Sequence, residues 1–458
     1  MAMTAPQTPH PNQLASPSTA PLPGLPPGFT WGVSTAAYQI EGAAREDGKG
    51  LSIWDEFTRQ RGRIANGDTG DVACDHYHRY AEDVALMRRL GVGAYRFSVS
   101  WPRVLPAGRG RANPAGVAFY DRLIDALLES GIEPWLCLYH WDLPQALDDL
   151  GGWINRDIAG WFADYTAFVL RRFGDRVKRF ATLNEPNVGT LFGYGMGWNA
   201  PGIARAESFF AAAHHLNLAH GAAIQAVRTL TPKATIGAIY NRQACLPITT
   251  APEDAVAANI LDACWNRLYA DPQILAEYPP ELIDSVLPFI KAGDMACIAQ
   301  PADWFGMNHY CPIYARADKS PLGFAWTDAP HDGPLTEVGW RINPDAFRDE
   351  LKLCYRRYGL PIYVLENGFG GHDHPDEAGV VNDTARADYL RTYTGALAEA
   401  VRDGADVRGY FIWSLLDNFE WGAGYANRFG IVYVDYATQQ RIPKASFDWF
   451  ASLIEANK

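Results

Sequence analysis

Two glutamates stand where a charge needs a reason. Glu366, in the stretch YVLENGFGG from Tyr363 to Gly371, follows a short apolar run and precedes a glycine-bearing turn; Glu185, in TLNEP, follows another apolar run and precedes Pro186. Singly, each reads as a solvated loop residue. As a pair they suit cleavage of a glycosidic bond, whose oxocarbenium-like transition state needs a proton on the leaving oxygen and negative charge at the anomeric carbon. One carboxyl must then be held ionised while the other keeps its proton. Arg96 supplies the asymmetry. In AYRFSVSW, Tyr95, Phe97, Val99 and Trp101 share one face of a strand and Arg96, Ser98 and Ser100 the other. A guanidinium on the small inward face requires an anion to offset its desolvation. Glu366 beside Arg96 is expected as the nucleophile, and Glu185, with Asn184 and apolar neighbours, as the acid.

Positioning such residues requires a scaffold, and from residue 28 onward short strand-like runs alternate with longer helical ones. Strands are expected at 31–35, 94–101, 133–141, 179–185, 235–240, 304–310, 361–366 and 407–414. Strands alternating with helices imply parallel pairing, and eight of them imply a closed α/β barrel of the (β/α)8 (TIM) kind, one domain over residues 28–458. One helix is legible in full: Ile158, Trp161, Phe162, Tyr165, Phe168 and Val169 recur at three- and four-residue spacing, after Asn155 and Asp157 and before Gly174. In such barrels the C-terminal strand ends carry the site. Standing there are Gln39, Arg96, His140, Asn184, Glu185, Asn308, Tyr310, Glu366, Trp413, Glu420 and Trp421. Groups that hydrogen-bond hydroxyls, aromatics that cover a ring face and two carboxylates together describe a sugar pocket.

Composition removes other classes. The 458 residues carry 40 Lys and Arg against 52 Asp and Glu, a net charge of −12, which repels phosphate backbones and anionic membranes. Seven cysteines lie far apart with no C-x-x-C, which points to reduced thiols in a cytoplasm rather than a disulfide framework. Residues 1–27, rich in Pro, Ser and Thr, are expected to be a disordered tail, with no signal for secretion and no membrane span. CDHYH at 74–78, HH at 214–215 and HDH at 372–374 look metal-like, but packing and solvation explain them better. No metal and no cofactor is expected, and the glycines at 368, 370 and 371 form no phosphate loop. The expected partner is a small-molecule sugar; self-association into a homo-oligomer stays open.

The longer motifs carry a resemblance. TLNEP at 182–186, LENG at 365–368, YRFSVSWPRVLP at 95–106, YHWDLPQAL at 139–147 and WSLLDNFEW at 413–421 closely resemble the hallmark segments of glycoside hydrolase family 1, the β-glucosidases and their relatives, in matching order from about Phe29 to Phe450. The resemblance implies a (β/α)8 barrel with Glu185 as acid/base, Glu366 as nucleophile and net retention of anomeric configuration. It also implies that Arg96 and Tyr310 orient the nucleophile. Gln39, His140, Asn184, Glu420 and Trp421 would then bind sugar hydroxyls, with Trp413 as stacking floor and Trp141 as a further contact. The implied activity is hydrolysis of terminal β-glucosyl residues from cellobiose, short oligosaccharides or aryl and alkyl β-glucosides, with β-galactosidase or β-fucosidase activity on the side.

Three positions depart from the usual pattern. Leu365 stands where Thr or Ser commonly precedes the nucleophile, His309 where Tyr is usual, and Trp198 in a loop that often carries an acid, which would make the leaving-group side more aromatic. Two rival readings follow from the same residues. A 6-phospho-β-glucosidase would need cations near the sugar's O6, where Glu420 and Trp421 stand instead, and a carboxylate facing a phosphate is strongly unfavourable. A catalytically silent sugar-binding protein would have lost a carboxylate, whereas Glu185, Glu366 and Arg96 are all present.

Overall fold

A computed structural model describes residues 21–330 and 332–458. Eight strands alternate with eight principal helices. The strands are β1 (Thr30–Ser34), β2 (Ala94–Ser98), β3 (Glu133–Cys137), β4 (Arg179–Asn184), β5 (Thr235–Asn241), β6 (Trp304–Asn308), β7 (Ile362–Asn367) and β8 (Val407–Trp413). Each pairs in parallel with the next, and β1 closes on β8 through Thr30–Gly409 to Ser34–Trp413. Between them run α1 (His76–Leu90), α2 (Pro114–Glu129), α3 (Ile158–Phe173), α4 (Ala206–Leu230), α5 (Pro252–Asp262), α6 (Pro344–Tyr358), α7 (Thr384–Arg402) and α8 (Ala445–Ala456). The expected barrel is present. Sequence ranges ran past the strand ends at 99–101, 138–141 and 309–310: Trp101 already opens a short helix (Trp101–Val104), 138–141 bend at the mouth, and 309–310 are irregular.

Alternation along the strands sorts the core into two. Trp135, Trp304, Tyr363, Leu365 and Phe411 fill the barrel interior, with the Trp135 and Tyr363 rings 4.8 Å apart. The opposite faces, including Tyr95 and Phe97 of β2, pack against the helices. An interior filled with aromatics leaves the C-terminal mouth as the end where polar groups gather. Leu365, unexplained by the resemblance, belongs to this plug and is fully buried.

Two strands break their alternation just before a glutamate. Pairing of β4 with β5 shifts between Ala181 and Asn184, and pairing of β7 with β6 shifts between Val364 and Glu366. With Tyr363 and Leu365 inside, strict alternation would send Glu366 outward; the irregularity turns it back into the mouth.

Helix α3 occupies its expected span, with Ile158, Phe162, Tyr165 and Val169 buried. Its ends differ from expectation. Asp157 makes no side-chain cap; Asn155 Oδ1 instead accepts from Asp157 N–H at 2.9 Å. Gly174 keeps a right-handed backbone, and its lack of a side chain matters because a Cβ would meet Leu170 O at 2.5 Å. A small sheet the sequence did not suggest, Cys245–Pro247, Ile313–Ala317 and Phe324–Thr327, lies in the connections after β5 and β6.

Of the segment read as a disordered tail, residues 1–20 lie outside the described residues. Its last part has partners: Leu22 and Leu25 pack on the core, and Leu22 N–H donates to Asn457 Oδ1 at 2.8 Å. No helix among the described residues is long and apolar enough to cross a membrane. Among the metal-like histidines, His76 pairs with Asp83 at 2.7 Å, His214 sits between Tyr278 and Asp294, and His215 Nδ1 meets Trp153 O. Asp373, read as part of a polar turn, is mostly buried and pairs with Arg386 and Lys444. Among the described residues, no group of three or more His, Cys, Asp and Glu side chains is arranged to hold a metal ion.

Candidate active site

Glu185 begins where β4 ends, at a left-handed backbone conformation (φ 44°, ψ 58°) that a non-glycine residue adopts at a cost of about 1 kcal/mol. Its N–H donates to Ile239 O at 2.8 Å, which fixes the turn, and Pro186 starts a short helix behind it. Trp141 (φ 74°) and Trp421 (φ 51°) share this unusual backbone, so three of the expected site residues sit on strained turns at the barrel mouth.

The two glutamates face one cavity of about 650 Å³ at that mouth, with His140, Trp141, Tyr310, Trp413, Glu420 and Trp421 also in its wall. Their partners differ in kind. Glu366 takes a direct ion pair from Arg96 Nη2 on Oε1 and a hydrogen bond from Tyr310 O–H on Oε2 at 2.6 Å. Glu185 Oε1 accepts only from amides, Asn241 Nδ2 at 2.7 Å and Asn308 Nδ2 at 2.8 Å. A chain of hydrogen bonds joins the two: Asn308 also donates to Asn184 Oδ1 at 3.1 Å, and Arg96 Nη2 reaches the same oxygen at 3.0 Å. Arg96 is buried on the inward face of β2, as its alternation predicted.

This wiring sets the order of ionisation. Burial pushes the Glu185 carboxyl from 4.5 up to about 8, with the charge of Glu366 adding to the rise; Asn308, Asn241 and Arg96 pull against it. Burial also moves Glu366 upward, a larger effect than the sequence suggested, while Arg96 and the Tyr310 hydroxyl oppose it. A carboxyl with a cation and a phenol on it ionises before one held by two amides. Glu366 therefore carries the charge while Glu185 still carries its proton. Burial and then Glu366 hold the Tyr310 phenol well above its usual range, so it stays a donor. Burial and Arg96 hold His140 well below its usual range, so it is neutral.

The remaining expected residues divide between wall and support. Trp413 lies parallel to His140 at 5.8 Å, under the Arg96 guanidinium, and donates Nε1–H to Glu420 Oε1 at 3.2 Å. Burial lifts Glu420 to about 8. Trp421 packs on Trp141 at 4.6 Å, and Trp141 Nε1–H donates to Asn184 O at 2.9 Å. Gln39 donates to Asn418 Oδ1 and Phe419 O, both at 2.9 Å, leaving its buried Oε1 without a partner. Asn184 and Asn308 lie beneath the wall and spend their amides on Arg96, His140, Glu185 and each other. His309 points away from the cavity; its Nδ1 meets Arg242 O at 2.7 Å and its ring packs on Phe347.

Asn241 is the supporting residue the sequence reading passed over, because β5 was ended at 240, one residue short of its inward amide. Applying the strand-end rule one position further would have found it. Of the outer wall the sequence singled out Trp198 alone: 52% exposed, it leans on Phe192, and Phe192, Trp265 and Trp326 meet with ring centroids 5.2 to 5.7 Å apart. Phe192 and Trp265 sit on π-helical turns (Leu191–Gly195 and Ala263–Arg267) and Trp326 on the small sheet, none of which has a sequence signature.

The sequence profile described as Glycosyl hydrolase family 1 matches residues 23–458. The chain belongs to that family. Among similar proteins, Beta-glucosidase A of Thermotoga maritima is 44% identical over 94% of this chain and 98% of its own. The Bifunctional beta-D-glucosidase/beta-D-fucosidase of Bifidobacterium breve is 43% identical over 94% and 98%. A solved structure, the family 1 β-glucosidase from Thermotoga maritima, superposes with a TM-score of 0.90 at 42% identity, covering 95% of this chain and 98% of that one. A complex of the Thermotoga maritima enzyme with glucoimidazole gives the same score at 43% identity, covering 95% and 99%. As a member of family 1, the chain is a glycoside hydrolase on a single-domain (β/α)8 barrel.

Proposed function

We propose that the protein is a retaining β-glucosidase that removes terminal β-D-glucosyl residues by double displacement. The observation that carries this reading is that Glu366 and Glu185 face one cavity with opposite partner sets, a cation and a phenol on the first and two neutral amides on the second. In the first step Glu366 attacks the anomeric carbon while Glu185 protonates the departing oxygen. In the second, Glu185 takes a proton from water, and that water displaces Glu366 from the sugar with a second inversion. Arg96 and Tyr310 hold the nucleophile's carboxylate, and Asn308 and Asn184 support the pair from below.

In this reading the sugar lies on Trp413, with hydroxyls bound by Glu420, His140, Trp421, Trp141 and the free Oε1 of Gln39. Gln39 and Glu420 together accommodate either O4 epimer, which supports β-fucosidase or β-galactosidase activity alongside, as the bifunctional relative's name illustrates. A phosphosugar is disfavoured, because Arg341 is the one cationic side chain among the described residues of the cavity wall, and Asp332 already pairs with it. The aromatic outer wall suits aryl and alkyl aglycones as well as the second glucose of cellobiose. Unpaired cysteines at all seven positions fit a reducing compartment such as the cytoplasm. Incubation with a 2-deoxy-2-fluoro-glucosyl inactivator tests the assignment: the labelled peptide should contain Glu366. A label on Glu185, or turnover of an aryl β-glucoside undiminished in Glu366→Gln, overturns it.

A further inference from the structure

Gln243 lies just past β5, in the cavity wall and only 2% exposed. Its amide reaches two ways. Nε2 donates to Asn241 Oδ1 at 2.6 Å, and Oε1 accepts the backbone N–H groups of Tyr310 and Cys311 at 3.3 and 3.2 Å. Asn241 Oδ1 accepts a second hydrogen bond from Trp265 Nε1 at 3.2 Å. Two donors on that oxygen fix which way the Asn241 amide points, so its Nδ2 must face Glu185. Gln243 is itself clamped: its N–H donates to Asn266 Oδ1 at 3.2 Å and its carbonyl accepts from Asn266 Nδ2 at 2.7 Å.

We infer that Gln243 is a positioning residue for both carboxylates at once, orienting Asn241 toward Glu185 with one end of its amide and anchoring the Tyr310 turn beside Glu366 with the other. The inference rests on the roles proposed for Glu185 and Glu366. Its physical content is preorganisation. A donor on the charged form of Glu185 favours that form, and losing it should raise the pH at which Glu185 gives up its proton. Changing Gln243 adds and removes no charge, and the charged and titratable groups that face Glu185 remain Glu366, Arg96, Tyr310, His140 and Glu420.

The test is Gln243→Met, which keeps length and removes both ends of the amide, beside Trp265→Phe, which removes only the second donor to Asn241. Rates are read against pH on β-glucosides with poor and good leaving groups, with Glu185→Ala as control. Gln243→Met is expected to lose about tenfold in kcat where the leaving group needs protonation, far less on 2,4-dinitrophenyl β-glucoside, and to move the alkaline limb to higher pH. Trp265→Phe is expected to move that limb the same way by less. A merely structural role would lower all rates together and leave the limb still. If Gln243→Met does not fold, Trp265→Phe decides alone. Unmoved limbs with uniform losses overturn the inference. The control separates the two levels: if Glu185→Ala abolishes the limb while the other variants keep it unmoved, only this inference falls, and if Glu185→Ala keeps the limb, both readings fall.

Discussion

At Glu366 a guanidinium and a phenol converge on one buried carboxylate, and neither would be there for the carboxylate's sake if it were a loop charge. Arg96 in turn touches Asn184, His140 and the face of Trp413, so its removal unpairs Glu366 without opening the pocket wholesale. Removing one partner of a buried ion pair typically costs 3–5 kcal/mol, which at the transition state corresponds to roughly a hundredfold or more in rate. Arg96→Met is therefore expected to lower kcat by about that factor on any β-glucoside, and wild-type turnover in this variant would sink the claim that Arg96 holds the nucleophile. This much was legible in the sequence. An arginine alternating with serines on a strand's small face has to be answered by an acid, and the motifs supplied one in the right order.

The elements were legible in kind but not in their irregularities. Period-two and 3.6-residue patterns placed eight strands and, in full, one of the helices between them, because burial of one face forces those periods. The shifts in β4 and β7 follow no pattern in residue type, yet they are what turn the glutamates into the mouth. For the same reason Asn241, the π-helical turns and the small sheet stayed hidden: they answer to packing between distant segments rather than to neighbours in sequence. Gly368, just past β7, shows how tightly that packing is set. A Cβ there would lie 1.9 Å from Trp413 O at the end of β8, so two strands bearing Glu366 and Trp413 meet at a point with room only for hydrogen. Gly368→Ala is expected to destabilise by about 3 kcal/mol or more and to cut activity further by displacing both residues. A variant with unchanged thermal midpoint and turnover would show that the strand ends yield easily.

Across the whole molecule, catalysis and stability pull in opposite directions. An aromatic plug closes the barrel interior below the site, and two buried carboxyls, Glu185 and Glu366, share the cavity above it with Glu420. Glu185 is displaced upward from 4.5 to about 8, and Glu420 likewise. The sign follows from proton binding: between those values the folded state holds a proton that the unfolded chain has released, so stability falls as pH rises through the window. For Glu185 alone the displacement amounts to on the order of 5 kcal/mol once both states are ionised. Glutamine at this position keeps an oxygen for Asn241 and Asn308 and removes the titration. Glu185→Gln should thus match wild type in thermal midpoint below about pH 4.5 and exceed it increasingly up to about pH 8, above which the gap should level off. Thermal denaturation at a series of pH values reads this directly. A gap that is constant with pH would mean that Glu185 ionises in the folded protein as it does in the unfolded chain, and the proton it is supposed to donate would not be there at neutral pH.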